Sequence, residues 1–83
     1  MAKALVEIYA PTGEVTFDAF VPLEPPLYET LPLLAKAAQE MSHGRFVPTA
    51  ETVLCHREDG SILNINMNLA AMDIQNGTRL MLI

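Results

Sequence analysis

At 83 residues with a net charge of −5, from ten acids and five bases with no run of Lys or Arg, the chain has no clustered cations for phosphate, which argues against nucleic acid or anionic lipid as partners. Hydrophobic residues make up 51% and charged ones 18%, which excludes a disordered segment and fits one globular domain over residues 1–83, small enough to hide only about 60% of its unfolded surface. The one cysteine, Cys55, excludes an internal disulfide, a thiolate zinc cluster and an iron–sulfur centre, and no apolar run approaches the roughly 18 residues of a membrane span.

In the opening "MAKALVEIYA", Glu7 interrupts the apolar run before a signal-peptide core could form, so a cytoplasmic location is expected. From Ala4 to Ala10 the residues alternate as in a strand, with Val6 and Ile8 facing inward and Leu5, Glu7 and Tyr9 on the other face. Pro11 and Gly13 supply a turn, after which Val15, Phe17, Ala19 and Val21 alternate with Thr16, Asp18 and Phe20, completing a hairpin.

"VPLEPPLYETLP" holds four of the six prolines, and residues before proline avoid the α region, so a stiff connector is expected across 22–32. Its "PLEPP" has the PxxP spacing of a polyproline ligand, but without a flanking Arg it reads as a rigid loop. Thr30 then serves as N-cap and Pro32 fits a first turn, which predicts a helix from about Leu31 to Met41 with a stripe of Leu31, Leu34, Ala35, Ala38 and Met41. His43-Gly44 is the stop, with Gly44 free to take positive φ. Two β-rich runs around Asp59-Gly60 read as a second hairpin, "NLAAMDI" as a short helical turn, Asn76-Gly77 as another reversal and "TRLMLI" as the last strand. A lone helix covers one face of a mixed sheet, and right-handed connections set the last strand parallel to the first.

The stretch 51–83 carries the spacing L-x4-I-x2-G-x2-L-x-L at Leu69, Ile74, Gly77, Leu80 and Leu82, which resembles the end of ubiquitin-like proteins. The expected fold is therefore α+β: a ubiquitin-like β-grasp, a mixed sheet of four to five strands with one main helix packed across one face. Within that class the chain is similar to the YukD/EsaB-like family of small bacterial proteins associated with type VII secretion, from which the proline-rich connector departs. That resemblance implies a non-enzymatic protein-interaction domain, an accessory or regulatory component of a secretion system. A small ubiquitin-like subunit of a multicomponent oxygenase is the alternative. Because Ile83 ends the sequence and no Gly follows Gly77, a conjugated modifier or sulfur carrier is less favoured.

No catalytic, cofactor or metal set is expected. Cys55 and His56 are strand neighbours that point to opposite faces, which precludes a dyad. His56, Asp59 and Ser61 have the residue types of a hydrolase triad, but Asp-Gly-Ser at a hairpin tip is turn chemistry with no source for an oxyanion hole. His43 suits a helix C-terminus; Met41, Met67, Met72 and Met81 are scattered as core filler. The candidate site is a partner-binding face. If Leu80 and Leu82 face the helix with Val53 and Cys55, then Leu54, His56, Arg79, Met81 and Ile83 share the opposite, exposed face and await another protein or a second copy.

Overall fold

The computed structural model describes residues 2–83. Strand β1 (Lys3–Ala10) and strand β2 (Val15–Pro22) form an antiparallel hairpin through a 3₁₀ turn at Pro11–Gly13; helix α1 (Leu27–Met41), strand β3 (Leu54–His56), a second 3₁₀ turn at Ala70–Met72 and strand β4 (Arg79–Leu82) follow. The sheet order is β2-β1-β4-β3, with β4 parallel to β1 and antiparallel to β3. Ala4, Val6, Ile8 and Ala10 on β1, Phe17 and Val21 on β2, and Leu80 and Leu82 on β4 form the floor of the core, and Leu27, Leu34, Ala35 and Ala38 of α1 cover it. Leu69 and Ile74, the other apolar members of the C-terminal motif, are buried in the same cluster.

The helix starts earlier than its local sequence suggests. Leu27 follows Pro26 directly, Thr30 lies inside the helix as a buried side chain, and Pro32 sits beyond the first turn. No side chain caps this end; the Leu27 and Tyr28 amides instead donate to the Met67 and Ile65 carbonyls at 3.0 and 2.9 Å. Such a cap, built from backbone distant in sequence, satisfies the orphan donors of the first turn and leaves no local signature. The connector is thus confined to Leu23–Pro26. Met41 departs from the expected stripe and is exposed. At the other end the Gly44 amide reaches the Gln39 carbonyl and the His43 amide the Glu40 carbonyl, a Schellman arrangement in which both His43 and Gly44 have positive φ.

The second expected hairpin closes only in part. The chain reverses at Asp59-Gly60, but Ile62 meets Cys55 through a single bridge and the returning arm forms no strand of its own. The loop before β4 compensates by holding β1: the Leu5 amide donates to Asn76 Oδ1 and the Gly77 amide to the Leu5 carbonyl, both at 2.8 Å. Gly77 takes φ of +89° to do so.

The facing of β3 is the reverse of the sequence expectation. Leu54 pairs with Leu82, Cys55 with Met81 and His56 with Leu80, and paired residues share a face. Leu54 is 1% exposed and belongs to the core, while Val53 and Cys55 turn away from the helix. In a strand of three residues only one side chain reaches deep into the core; the flanking core-side positions, Thr52 and His56, lie at its rim and tolerate polarity. That polarity disguises the core side as the outer one.

Candidate functional site

Among the described residues no helix or strand packs over the sheet face opposite α1, although Cys55 on β3 is fully buried on that side. Strand alternation places Lys3, Leu5, Glu7 and Tyr9 of β1 there, Thr16, Asp18, Phe20 and Pro22 of β2, and Arg79 and Met81 of β4. Val53 and Ile83 exchange backbone hydrogen bonds at 2.8 and 3.0 Å and extend the face past the ends of β3 and β4. Phe20 is 72% exposed and pairs with Leu5, itself 38% exposed; Ile83 is 47% exposed.

Of the five residues expected to form the site, Arg79, Met81 and Ile83 lie on this face, with Met81 half-buried. Leu54 does not, being a core residue. His56 lies on the helix side of the sheet, half-buried at the rim, and meets Arg79 only where both line a polar hollow of about 470 Å³ with Glu58, Gly77 and Thr78. The sequence reading omitted Leu5, Tyr9 and Phe20, although the alternation of β1 and β2 already set them opposite the core.

Charge is distributed unevenly. The uncovered face holds Lys3, Arg57 and Arg79, three of five cations, against Glu7 and Asp18, two of ten acids, so it is the least acidic part of the molecule. Arg57 extends from the end of β3 across β4 to β1, where its Nη1 lies 2.8 Å from Glu7 Oε1 and its guanidinium 4.5 Å from the Tyr9 ring centroid. An exposed ion pair and an exposed cation–π contact are each worth at most about 1 kcal/mol, so the arrangement orients Arg57 more than it stabilises the fold. No ion pair holds Arg79 among the described residues. Beside Arg79 lies a second hollow of about 480 Å³, bounded by Leu5, Phe20, Asp18 and Gly77.

The reactive groups do not assemble. Cys55 is fully buried on the Met81 side, its Sγ donating to the Met81 carbonyl at 3.4 Å, while His56 faces the other way. Burial, and secondarily the Asp59 charge, push the Cys55 thiol up from its ordinary value, the opposite of what a nucleophile needs. Asp59 Oδ1 accepts from both the amide and the hydroxyl of Ser61, at 2.9 and 2.7 Å, which holds its carboxyl below the usual range. The carboxylate and hydroxyl of the would-be triad are therefore committed to each other in a turn, and neither orients His56. Among the described residues no three His, Cys, Asp or Glu side chains converge to hold a metal.

No protein-family model matches the chain, and no curated protein sequence does. Solved structures do. The EccD5 ubiquitin-like domain from Mycobacterium xenopi superposes with a TM-score of 0.83 at 24% identity, covering 100% of this chain and 94% of that one. The chain has the ubiquitin-like β-grasp fold. The ubiquitin-like domain of the Mycobacterium tuberculosis type VII secretion protein EccD1 matches with a TM-score of 0.69 at 20% identity, covering 100% and 99% of the two chains. Protomer 1 of the ESX-3 core complex contains a similar β-grasp unit, with a TM-score of 0.77 at 21% identity, but the present chain spans only 16% of that chain. No helix of this β-grasp unit is long and apolar enough to cross a membrane, among the described residues.

Proposed function

We propose that the chain is a non-enzymatic ubiquitin-like docking domain, related to the YukD/EsaB-like proteins, that acts at the cytoplasmic side of a bacterial type VII-like secretion assembly. Its recognition surface is the uncovered sheet face. The observation that carries this reading is the state of that face: Phe20, Leu5, Met81 and Ile83 stand at a surface without a covering element, framed by three cations on an otherwise acidic molecule. Apolar side chains at the surface on both sides of a charged row, Leu5 and Phe20 on one side and Met81 and Ile83 on the other, mark a surface of protein contact on a small domain. The likeness to domains from secretion complexes supports the cellular context, and the lack of assembled reactive groups supports a binding role.

Affinity capture from the native cell tests this. The wild-type chain is expected to retain subunits of a secretion assembly, and Phe20→Ser and Ile83→Ser to lose them while keeping a native circular dichroism spectrum. Capture that survives both substitutions, or a captured set without secretion subunits, overturns the reading.

A further inference from the structure

The two edges of the sheet differ. Beyond β3 the chain closes its own edge: the His56 and Leu63 amides donate to the Ser61 and Leu54 carbonyls, both at 2.9 Å, and Ile62 bridges to Cys55. Beyond β2 no segment among the described residues does the same.

The hydrogen bonds of β1 show which groups the β2 edge offers. The Leu5 amide goes to Asn76 Oδ1 and the Glu7 amide to the Thr78 carbonyl, on the β4 side, so Ala4, Val6, Ile8 and Ala10 bond toward β2. Antiparallel alternation then turns the amides and carbonyls of Thr16, Asp18 and Phe20 outward, and no hydrogen bond of the described residues reaches these three amides. Pro22 is the next outward position, where its missing N–H costs no ladder bond. The register with β1 is unbroken over all eight residues, so no bulge twists the edge away.

A long, regular and open edge pairs with any strand that arrives unless a charge guards it. Asp18, central among the three outward residues, is that guard. In the antiparallel pairing of two copies that uses all three, Asp18 stands opposite Asp18, so like charges oppose a second copy. Asp18 also lacks a cation of its own. Its neighbour across the hairpin is Glu7, a like charge, and Arg57 is drawn to Glu7 at 2.8 Å, so no ion pair among the described residues holds Asp18. On the helix side of the strand, Val15 and Ala19 pack against the core but are only half-buried, so apolar surface continues to the edge.

We propose that β2 takes up an extended segment of another protein as a fifth, antiparallel strand, with a Lys or Arg opposite Asp18. Apolar residues on either side of that cation turn toward the helix and continue the core past Val15 and Ala19. Three outward positions exchange about six main-chain hydrogen bonds with such a segment, two at each. Because the contact is made by backbone at the edge, it goes beyond the docking function of the uncovered face.

The probe is a capped peptide, Ser-Ile-Val-Lys-Val-Thr-Ser, titrated into the whole chain and followed by amide chemical shifts and hydrogen exchange. In the chain alone, exchange is expected to be fast at Thr16, Asp18 and Phe20 and slow at Phe17, Ala19 and Val21. The peptide is expected to shift and protect the first three. Glu in place of its Lys is expected to weaken binding about fivefold, and Asp18→Lys to reverse that preference. Methylation of the peptide's Lys amide nitrogen, which points at β2, is expected to abolish binding, whereas methylation of either Val amide nitrogen, which points away, leaves most of it. The proposal is overturned by outward amides that exchange as slowly as the inward ones, which would mean an edge already closed, by a second copy if sedimentation shows a dimer. It is also overturned by β2 signals that stay still at millimolar peptide, by shifts confined to Leu5, Met81 and Ile83, or by methylation that acts equally at the Lys and Val positions.

Discussion

Leu54→Ala removes a side chain that is 1% exposed and paired with Leu82, and is expected to cost about 2–5 kcal/mol, a large fraction of the stability of a domain this small. Ile83→Ser, at a position 47% exposed, is expected to change stability by no more than about 0.5 kcal/mol. Urea denaturation of the two variants compares these values, and equal losses would show that both faces of the sheet are closed. Cys55 provides a second check. Its ordinary value is 9.0 and burial, then the Asp59 charge, raise it, so the native state keeps its proton after the unfolded chain has released it. Stability is therefore unaffected below that ordinary value and falls as pH rises from it toward the native value. A thiol reagent at pH 8 is expected to modify the unfolded chain quickly and the native protein slowly, and fast native labelling would mean that the Met81 side of β3 is open.

At the scale of elements, α1 holds a proline where a helix ordinarily loses a bond. Pro32 lies five residues after Leu27, so the Tyr28 carbonyl lacks its usual donor, and Tyr28 and Pro32 are both at the surface. Pro32→Ala is expected to raise stability by about 1–2 kcal/mol, the helix gain being reduced by the greater freedom of the unfolded chain. Thermal unfolding measures it, and a drop in Tm would mean that the proline ring itself packs usefully against the 48–52 loop that shares its groove. The same element shows where sequence reasoning ended. Thr30 and Pro32 together imitate a helix start, whereas the true start is capped by carbonyls of residues 65 and 67, which become neighbours only after folding. The stripe of Leu34, Ala35 and Ala38 was legible because its spacing is set within the helix; its capping was not.

For the molecule as a whole, the mixed sheet and the parallel pairing of first and last strands followed from a single helix and right-handed connections, and the buried Leu69, Ile74, Leu80 and Leu82 match the C-terminal spacing that resembles ubiquitin-like proteins, while the long strands β1 and β2 repeat their alternation often enough to declare a face. β3 has three residues and no such redundancy, so Leu54 and His56 were placed on the wrong side while the four-residue β4 put Arg79 and Met81 on the right one. The candidate face was accordingly visible in its β4 half. Its β1 and β2 half, Leu5, Tyr9 and Phe20, was equally written in the alternation, but a strand pair read as a hairpin draws attention to its core side. Arg57 could not be placed at all, because reaching Glu7 and Tyr9 requires knowing that β3 and β1 flank the same strand.

The tie between Leu5 and the Asn76-Gly77 turn also governs how the chain ages. In an unstructured Asn-Gly pair the glycine amide nitrogen attacks the asparagine side-chain carbonyl, ammonia leaves, and water opens the resulting ring to aspartate or isoaspartate, one reason asparagine is a thermolabile residue. Here the Gly77 amide is committed to the Leu5 carbonyl and Asn76 Oδ1 to the Leu5 amide, both at 2.8 Å, so neither reacting group is free while β1 is docked. Conversion of Asn76 is thereby coupled to detachment of the first strand. Mass spectrometry of chains held at mildly alkaline pH is expected to show Asn76 intact in the native protein and converted in denaturant, and equal rates would mean that the tie opens freely. Each isoaspartate found at position 76 would then record a moment when the two ends of the chain had come apart.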